Sequence, residues 1–269
     1  MALFQIGCQT YSWEMLGAEW QGTADQILDA VASAGYAGVE FSNQMIGPYL
    51  AKPDLFAQAL AQRGLAFAAF AYARAGFSDP SQEVEDLAGA DEALQFVSHF
   101  GIPLCLGGPS SPDRSNRETK LAQAVRFYGE VARRAQARDI SVLIHPHSHY
   151  TSLVLTAEEY DQLLGAVAPL GIGFNPDTGH ILRGGQNVMD CLKRHRSLIR
   201  HVHIKDVDAK GNWTPLGQGI TPLAELLAWL ENEGYSGWVV IEEESGAVRP
   251  EPSAAIAANR RTLRALYVG

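Results

Sequence analysis

The sequence predicts an α/β chain closed into a single-domain (β/α)₈ barrel, and three observations predict it. Short apolar runs and helix-like segments alternate from one end of the chain to the other. The alternation gives eight strand–helix units in 269 residues, the length such a barrel needs. Four apolar runs in the second half end in residues of metal-binding type: Val142-Leu143-Ile144-His145-Pro146-His147, Ile172-Gly173-Phe174-Asn175-Pro176-Asp177-Thr178-Gly179-His180, Ile199-Arg200-His201-Val202-His203-Ile204-Lys205-Asp206 and Val239-Val240-Ile241-Glu242-Glu243-Glu244.

Each element has a local reason. Phe4 to Cys8 reads as the first strand. Thr23 caps a helix through Ile27, Leu28 and Val31, and Gly35 stops it. Gly38 to Phe41 is the second strand, and Pro53 opens a helix that ends at Gly64. Leu65 to Ala71 is the third strand. Ser81 starts a helix through Val84, Leu87, Leu94 and Val97, closed by Gly101, and Ile102 to Leu106 follows as the fourth strand. A helix from about Arg117 to Arg138 precedes the strand Ile140 to His145. Thr156 and Glu159 form a capping box for the next helix. Strands near Ile172 and Ile199 enclose a helix over Val188 to His195. Thr221-Pro222 opens another helix, closed by Gly234, and Trp238 to Glu242 is the eighth strand before a last helix over Pro252 to Leu266. An open doubly wound sheet would carry a glycine-rich loop after its first strand, and Gly7-Cys8-Gln9-Thr10 is not one. No linker or composition break divides residues 1–269, so one domain is expected.

Composition narrows the function. With 46% hydrophobic and 19% charged residues the chain reads as a globular protein. A net charge of −9 argues against a nucleic-acid surface. The longest apolar run, Leu65 to Ala73, is too short to span a bilayer, so no membrane partner is expected. Three cysteines without a CxxC pair suit a reducing compartment, and the N-terminus has no signal-peptide pattern; a cytoplasmic location is expected. A homo-oligomer is compatible with the sequence.

In barrels of this kind the active site lies at the C-terminal ends of the strands, where the four runs place His, Asp, His and Glu. Polar groups buried there need partners, and one divalent ion can serve several at once. Glu242 reads either as a ligand or as a salt-bridge partner, and Asp177 either as a ligand or as a helix cap. His201, His203 and Lys205 share a face of their strand, with His201 the deeper and so the better core histidine. His145 and His147 also share a face. Glu40, at the end of the second strand, reads as a catalytic or substrate-binding group or as half of a buried ion pair. Trp13, with Glu14 and Trp20, forms either a wall of the pocket or packing at the barrel mouth. Gly107-Gly108 and Gly184-Gly185 read as turns.

Asp177-Thr178-Gly179-His180, His203-Ile204-Lys205-Asp206, Leu216-Gly217-Gln218-Gly219 and Gly237-Trp238-Val239-Val240-Ile241-Glu242 together resemble the xylose-isomerase-like TIM-barrel superfamily over essentially the whole chain. The group includes sugar-phosphate isomerases, epimerases, inosose dehydratases and endonuclease-IV-type nucleases. The resemblance implies a metal held by His145, Asp177, His203 and Glu242, with His145 standing where relatives usually have glutamate. It also implies that His180 and Lys205 contact substrate oxygens and that Glu242 combines ligation with proton transfer. The His145-Pro146-His147 segment is similar to the inosose dehydratase branch.

Two histidines and two carboxylates suit one Mn²⁺, Co²⁺, Fe²⁺ or Zn²⁺ better than Mg²⁺. The expected activity is isomerisation or epimerisation of a small sugar, sugar phosphate or polyol through an enediolate, with dehydration of a keto-polyol as the alternative. Glu40, His180, Lys205 and Glu242 are the expected catalytic groups; His147, His180, Lys205, Trp13 and Glu244 are the expected substrate contacts. A nuclease is disfavoured by the acidic balance and the absence of histidines in Gly38 to Phe41 and Leu65 to Tyr72. A non-catalytic sugar-binding protein would bind ligand without metal.

Overall fold

The computed structural model describes residues 4–149 and 151–267. In chain order its elements are β1 (Gln5–Gln9), α1 (Tyr11–Glu14), α2 (Ala24–Ala34), β2 (Gly38–Ser42), α3 (Pro53–Gln62), β3 (Ala66–Tyr72), α4 (Glu83–Ser98), β4 (Leu104–Gly107), α5 (Arg117–Gln136), β5 (Val142–His145), α6 (Ala157–Val167) and β6 (Gly173–Phe174). There follow α7 (Thr178–Arg183), α8 (Val188–Arg194), β7 (Val202–Ile204), β8 (Asp206–Val207), β9 (Trp213–Thr214), α9 (Leu223–Asn232), β10 (Trp238–Ile241) and α10 (Pro252–Leu266). The chain forms two compact units, Met1–Ala68 with His201–Gly269, and Ala69–Arg200.

In the first unit β1 pairs in parallel with β2 and β10, and β10 pairs with β7. The start of β3 joins β2 through Ala66 N–H to Ala37 O at 3.0 Å. The expected Thr23 cap is present as a capping box with Gln26, and Gly35 closes α2 in the left-handed conformation. Ile27, Leu28 and Val31 of α2 are buried, each stabilising by about 1.5–3 kcal/mol. α10 lies against α2, and Val39, Phe41, Val239 and Val240 of the strands are buried.

In the second unit β3 pairs with β4, β4 with β5 and β5 with β6, all in parallel. α5 packs between α4 and α6. The Thr156–Glu159 capping box forms as expected. Ala69, Cys105 and Leu143, one from each of β3, β4 and β5, form a buried cluster. Phe77 stacks on Phe127 with ring centroids 4.3 Å apart.

Four features depart from the periodicity reading. α4 starts at Glu83 rather than Ser81, because Asp79 draws the Ser81 N–H and hydroxyl into a turn. The strand near Ile172 shrinks to β6, with Ile199 joining Phe174 by a single bridge. α7 forms directly after Asp177, and the short β8–β9 hairpin follows β7; both are too brief for a period to show.

Gly38 illustrates how tightly the strands are fitted. A Cβ there would lie 2.5 Å from the Trp238 ring and 2.7 Å from Ala66 O. Gly165, exposed in α6, has open space instead. Gly38→Ala should therefore cost about 1–3 kcal/mol, whereas Gly165→Ala should stabilise by about 0.5–1 kcal/mol. Thermal melts of both variants check this: a lowered midpoint for the first and a raised one for the second is the expected result, and equal midpoints would contradict it.

Candidate functional site

Strand register delivers a row of charged side chains in the first unit. His203 lies opposite Val240, and Glu242 N–H donates to Ile204 O at 3.1 Å. Alternation then puts His201, His203 and Lys205 on one face of their segment and Glu242 and Glu244 on one face of theirs. His203 spans two carboxylates, with Nε2 2.9 Å from Glu40 Oε2 and Nδ1 2.7 Å from Glu242 Oε2. The same Glu40 oxygen lies 2.7 Å from His201 Nε2. Lys205 Nζ donates to Glu242 Oε1 at 2.9 Å and also to Glu244 Oε1. The result is an unbroken sequence His201–Glu40–His203–Glu242–Lys205–Glu244. All six side chains are buried, with Glu40 at 0% and Lys205 at 2% exposure.

The electrostatics follow from that geometry. Burial pushes the Glu40 carboxyl up, but the His203 charge and the hydrogen bonds from both histidines prevail and hold it at about 2. Burial pushes His203 down, yet Glu40 and Glu242 outweigh it and lift the imidazole to about 10. For His201 burial wins over the Glu40 interaction, so its imidazole sits below the usual range. His201 is thus a neutral donor and His203 a charged one.

The surroundings of Lys205 are ordered by Asp206. One Asp206 oxygen accepts from the Val207 and Thr221 N–H groups at 2.9 and 3.0 Å; the other accepts from Gly217 and Gly219, both at 2.9 Å. Thr221 Oγ1 donates to Lys205 O at 2.9 Å. This fixes the segment after β9, and the Lys205 ammonium sits 4.9 Å from the Trp213 ring centroid and 6.0 Å from that of Tyr11. Trp13 is buried with its ring 6.3 Å from Trp20. Ser42 Oγ donates to Glu14 Oε2 at 2.5 Å, and burial raises the Glu14 carboxyl. Glu243 points the opposite way from its neighbours and accepts from Asn259 of α10 at 2.5 Å.

In the second unit His145 ends β5, and its Nδ1 lies 3.2 Å from the Asn175 amide. Its Nε2 is 3.9 Å from Asp177 Oδ2. The other Asp177 oxygen caps α7 by accepting from His180 N–H at 2.9 Å. Asp177 is therefore a helix cap, as one reading of the sequence held, with its second oxygen turned to His145. Ser148 N–H donates to His180 Nδ1 at 2.9 Å. A nitrogen that accepts from a backbone N–H carries no proton, so the neutral His180 ring has its hydrogen on Nε2. His147 is half-buried, its ring 5.1 Å from His145 and 5.5 Å from His180. Gly108 lets the chain approach this segment: a Cβ there would lie 2.7 Å from Pro146 Cα.

The first unit thus assembles Glu40, His203, Lys205, Glu242 and Glu244, while the second assembles His145, His147, Asp177 and His180. Sequence reasoning did not single out Asp206, Trp213, Tyr11, Asn175 or Ser148. For Asp206 a signal existed: a carboxylate directly after the Lys205 strand, with glycines two apart at 217 and 219 downstream.

The sequence pattern of the xylose isomerase-like TIM-barrel family matches residues 28–266. A protein named inosose dehydratase from Geobacillus kaustophilus is 26% identical over 282 residues, covering 93% of this chain and 90% of the relative. One of the same name from Bacillus licheniformis is 26% identical over 251 residues, covering 82% and 81%. Among solved structures, an IolI protein with a bound zinc atom superposes with a TM-score of 0.82 at 17% identity, covering 98% of each chain. The 3-keto-D-glucoside 4-epimerase YcjR from E. coli gives 0.78 at 17% identity, covering 99% and 100%. At these identities the structural likeness speaks for the fold, and the (β/α)₈ barrel expected from strand–helix alternation is the fold it supports. The chain belongs to the xylose isomerase-like TIM-barrel family.

Proposed function

We propose that the protein is a divalent-metal-dependent dehydratase of a keto-polyol, with His145, Asp177, His203 and Glu242 as the ligands. The observation that carries the reading is the buried charged row of the first unit, in which three carboxylates face one lysine and one histidine that is charged only by holding a proton. The donors suit an ion. His203 Nδ1 and Glu242 Oε2 are turned to one another at 2.7 Å, and His145 Nε2 and Asp177 Oδ2 at 3.9 Å. Each pair offers one imidazole nitrogen and one carboxylate oxygen, the donor mixture that Mn²⁺, Co²⁺, Fe²⁺ and Zn²⁺ accept. When bound, the ion supplies Lewis acidity to a carbonyl and neighbouring hydroxyl, easing loss of the proton between them.

The side chains have the following roles. Glu242 takes the proton from the carbon next to the carbonyl. Lys205 Nζ, held by Glu242 and Glu244, steadies the oxygen that gains negative charge. His180 Nε2–H hydrogen-bonds the departing β-hydroxyl, which takes up the proton that Glu242 has removed, so that a carbon–hydrogen and a carbon–oxygen bond break, a carbon–carbon double bond forms and water leaves. Glu244 and the rings of Trp213 and Tyr11 hold Lys205 in line. His147 contributes a further polar contact to the substrate. The names of the inosose dehydratase relatives, one of which matches over 93% of this chain and 90% of its own, support dehydration as the outcome. Isomerisation or epimerisation of a sugar shares the first step. The adjacent Glu242 and Lys205 favour it as a second reading, since such a pair can both take a proton and return one.

Two measurements test this. Metal-loaded protein incubated with inososes in deuterated water should yield an absorbing enone with release of water. Deuterium uptake without loss of water would move the assignment to isomerisation or epimerisation, and neither product with any divalent ion and any ketose would sink both. Removing the metal by chelation should abolish turnover, and Mn²⁺ or Co²⁺ should restore it. Lys205→Met should lower kcat by about 10²–10⁴-fold while metal content stays at the wild-type level. Undiminished turnover in that variant would remove Lys205 from the mechanism.

A further inference from the structure

We infer that Glu40 is a positioning residue whose carboxylate, braced by His201, fixes the ring of His203 so that Nε2–H is spent on Glu40 and Nδ1 is presented, beside Glu242, to the divalent ion. The inference rests on the metal reading above and adds to it a residue that itself touches neither metal nor substrate.

Three observations carry it. Glu40 sits within β2, paired in register with Gln9, and its side chain is fully enclosed. Its hydrogen bonds go to histidines: one oxygen, Oε2, receives both His201 Nε2 at 2.7 Å and His203 Nε2 at 2.9 Å. Its other oxygen has no hydrogen-bond partner among the described residues. Meanwhile the Lys205 ammonium is engaged by Glu242 and Glu244.

The consequence is a matter of tautomer and orientation. An imidazole can rotate and can carry its proton on either nitrogen; the hydrogen bond made by one nitrogen decides what the other offers. With Nε2–H directed at a carboxylate, Nδ1 keeps its lone pair for a cation, and the nearby negative charge makes that lone pair more basic. His201 donates to the same oxygen and so prevents the carboxylate from turning its Oε2 away from His203. His201, on the same strand face two residues earlier, supports the ligand from behind.

The test compares Glu40→Gln with the wild type by titrating Co²⁺ and recording its visible spectrum, with circular dichroism as the check on folding. Glu40→Gln keeps the shape and loses the charge; Co²⁺ affinity should fall about 10–100-fold and the visible bands should shift while the dichroism is unchanged. A residue that merely packs the interior would leave the cobalt spectrum alone. Long-range ¹H–¹⁵N spectra of the zinc-loaded wild type provide a reading that needs no variant: His203 should show its proton on Nε2 and zinc on Nδ1. Wild-type Co²⁺ affinity and spectrum in Glu40→Gln, or zinc on Nε2 of His203, overturns the inference while leaving the metal reading intact. A wild-type protein that takes up no Co²⁺, or a His203→Ala variant that takes it up as tightly as wild type, overturns the metal reading and this inference with it.

Discussion

The buried row His201–Glu40–His203–Glu242–Lys205–Glu244 is the constraint from which the site of the first unit follows. Each ion placed there loses its water at a cost of several kcal/mol, so each must meet a partner at hydrogen-bond distance. That requirement reaches back into the backbone. β1 must lie between β2 and β10, and β10 beside β7, for Glu40, Glu242 and His203 to come from three strands to one place. Removing one member leaves its neighbour charged and unsatisfied, a loss of about 3–5 kcal/mol. The glycine at 38 and the four backbone hydrogen bonds to Asp206 serve that same alignment, one by letting Trp238 close on β2, the other by tying down the segment after Lys205.

The second unit sets its site by other means. Its histidines are set by backbone and amide partners: Ser148 N–H fixes the His180 tautomer, and the Asn175 amide meets His145 Nδ1. Asp177 divides its two oxygens between capping α7 and facing His145. Capping and ligation therefore do not compete for this residue, because a carboxylate has an oxygen for each.

Much of this was legible in the sequence because it rests on period and on residue type at the ends of apolar runs. The strand–helix alternation predicts the barrel of this family, and Thr23, Gly35 and Thr156 mark helix limits that the structure reproduces. His203, Lys205, Glu242 and Glu244 are recognisable as a group, since alternation along a strand already places them on common faces. What was not legible depends on partners distant in the chain. Nothing near Glu40 in sequence says that it meets His201 and His203, 161 and 163 residues away. The β8–β9 hairpin that brings Trp213 over Lys205 spans too few residues to show a period. α7 and the reduced β6 are equally short, and their form follows from the Asp177 cap rather than from any pattern of apolar residues.

The central claim is that imidazole and carboxylate groups from these strand ends hold one divalent ion. X-ray absorption of the zinc-loaded protein tests it most directly, because imidazole rings add a characteristic scattering pattern beyond the nearest atoms. The account predicts a single zinc per chain with nitrogen and oxygen neighbours at about 2.0–2.2 Å and the outer scattering of two imidazoles. A shell of oxygens alone, or zinc with no imidazole scattering, would contradict it.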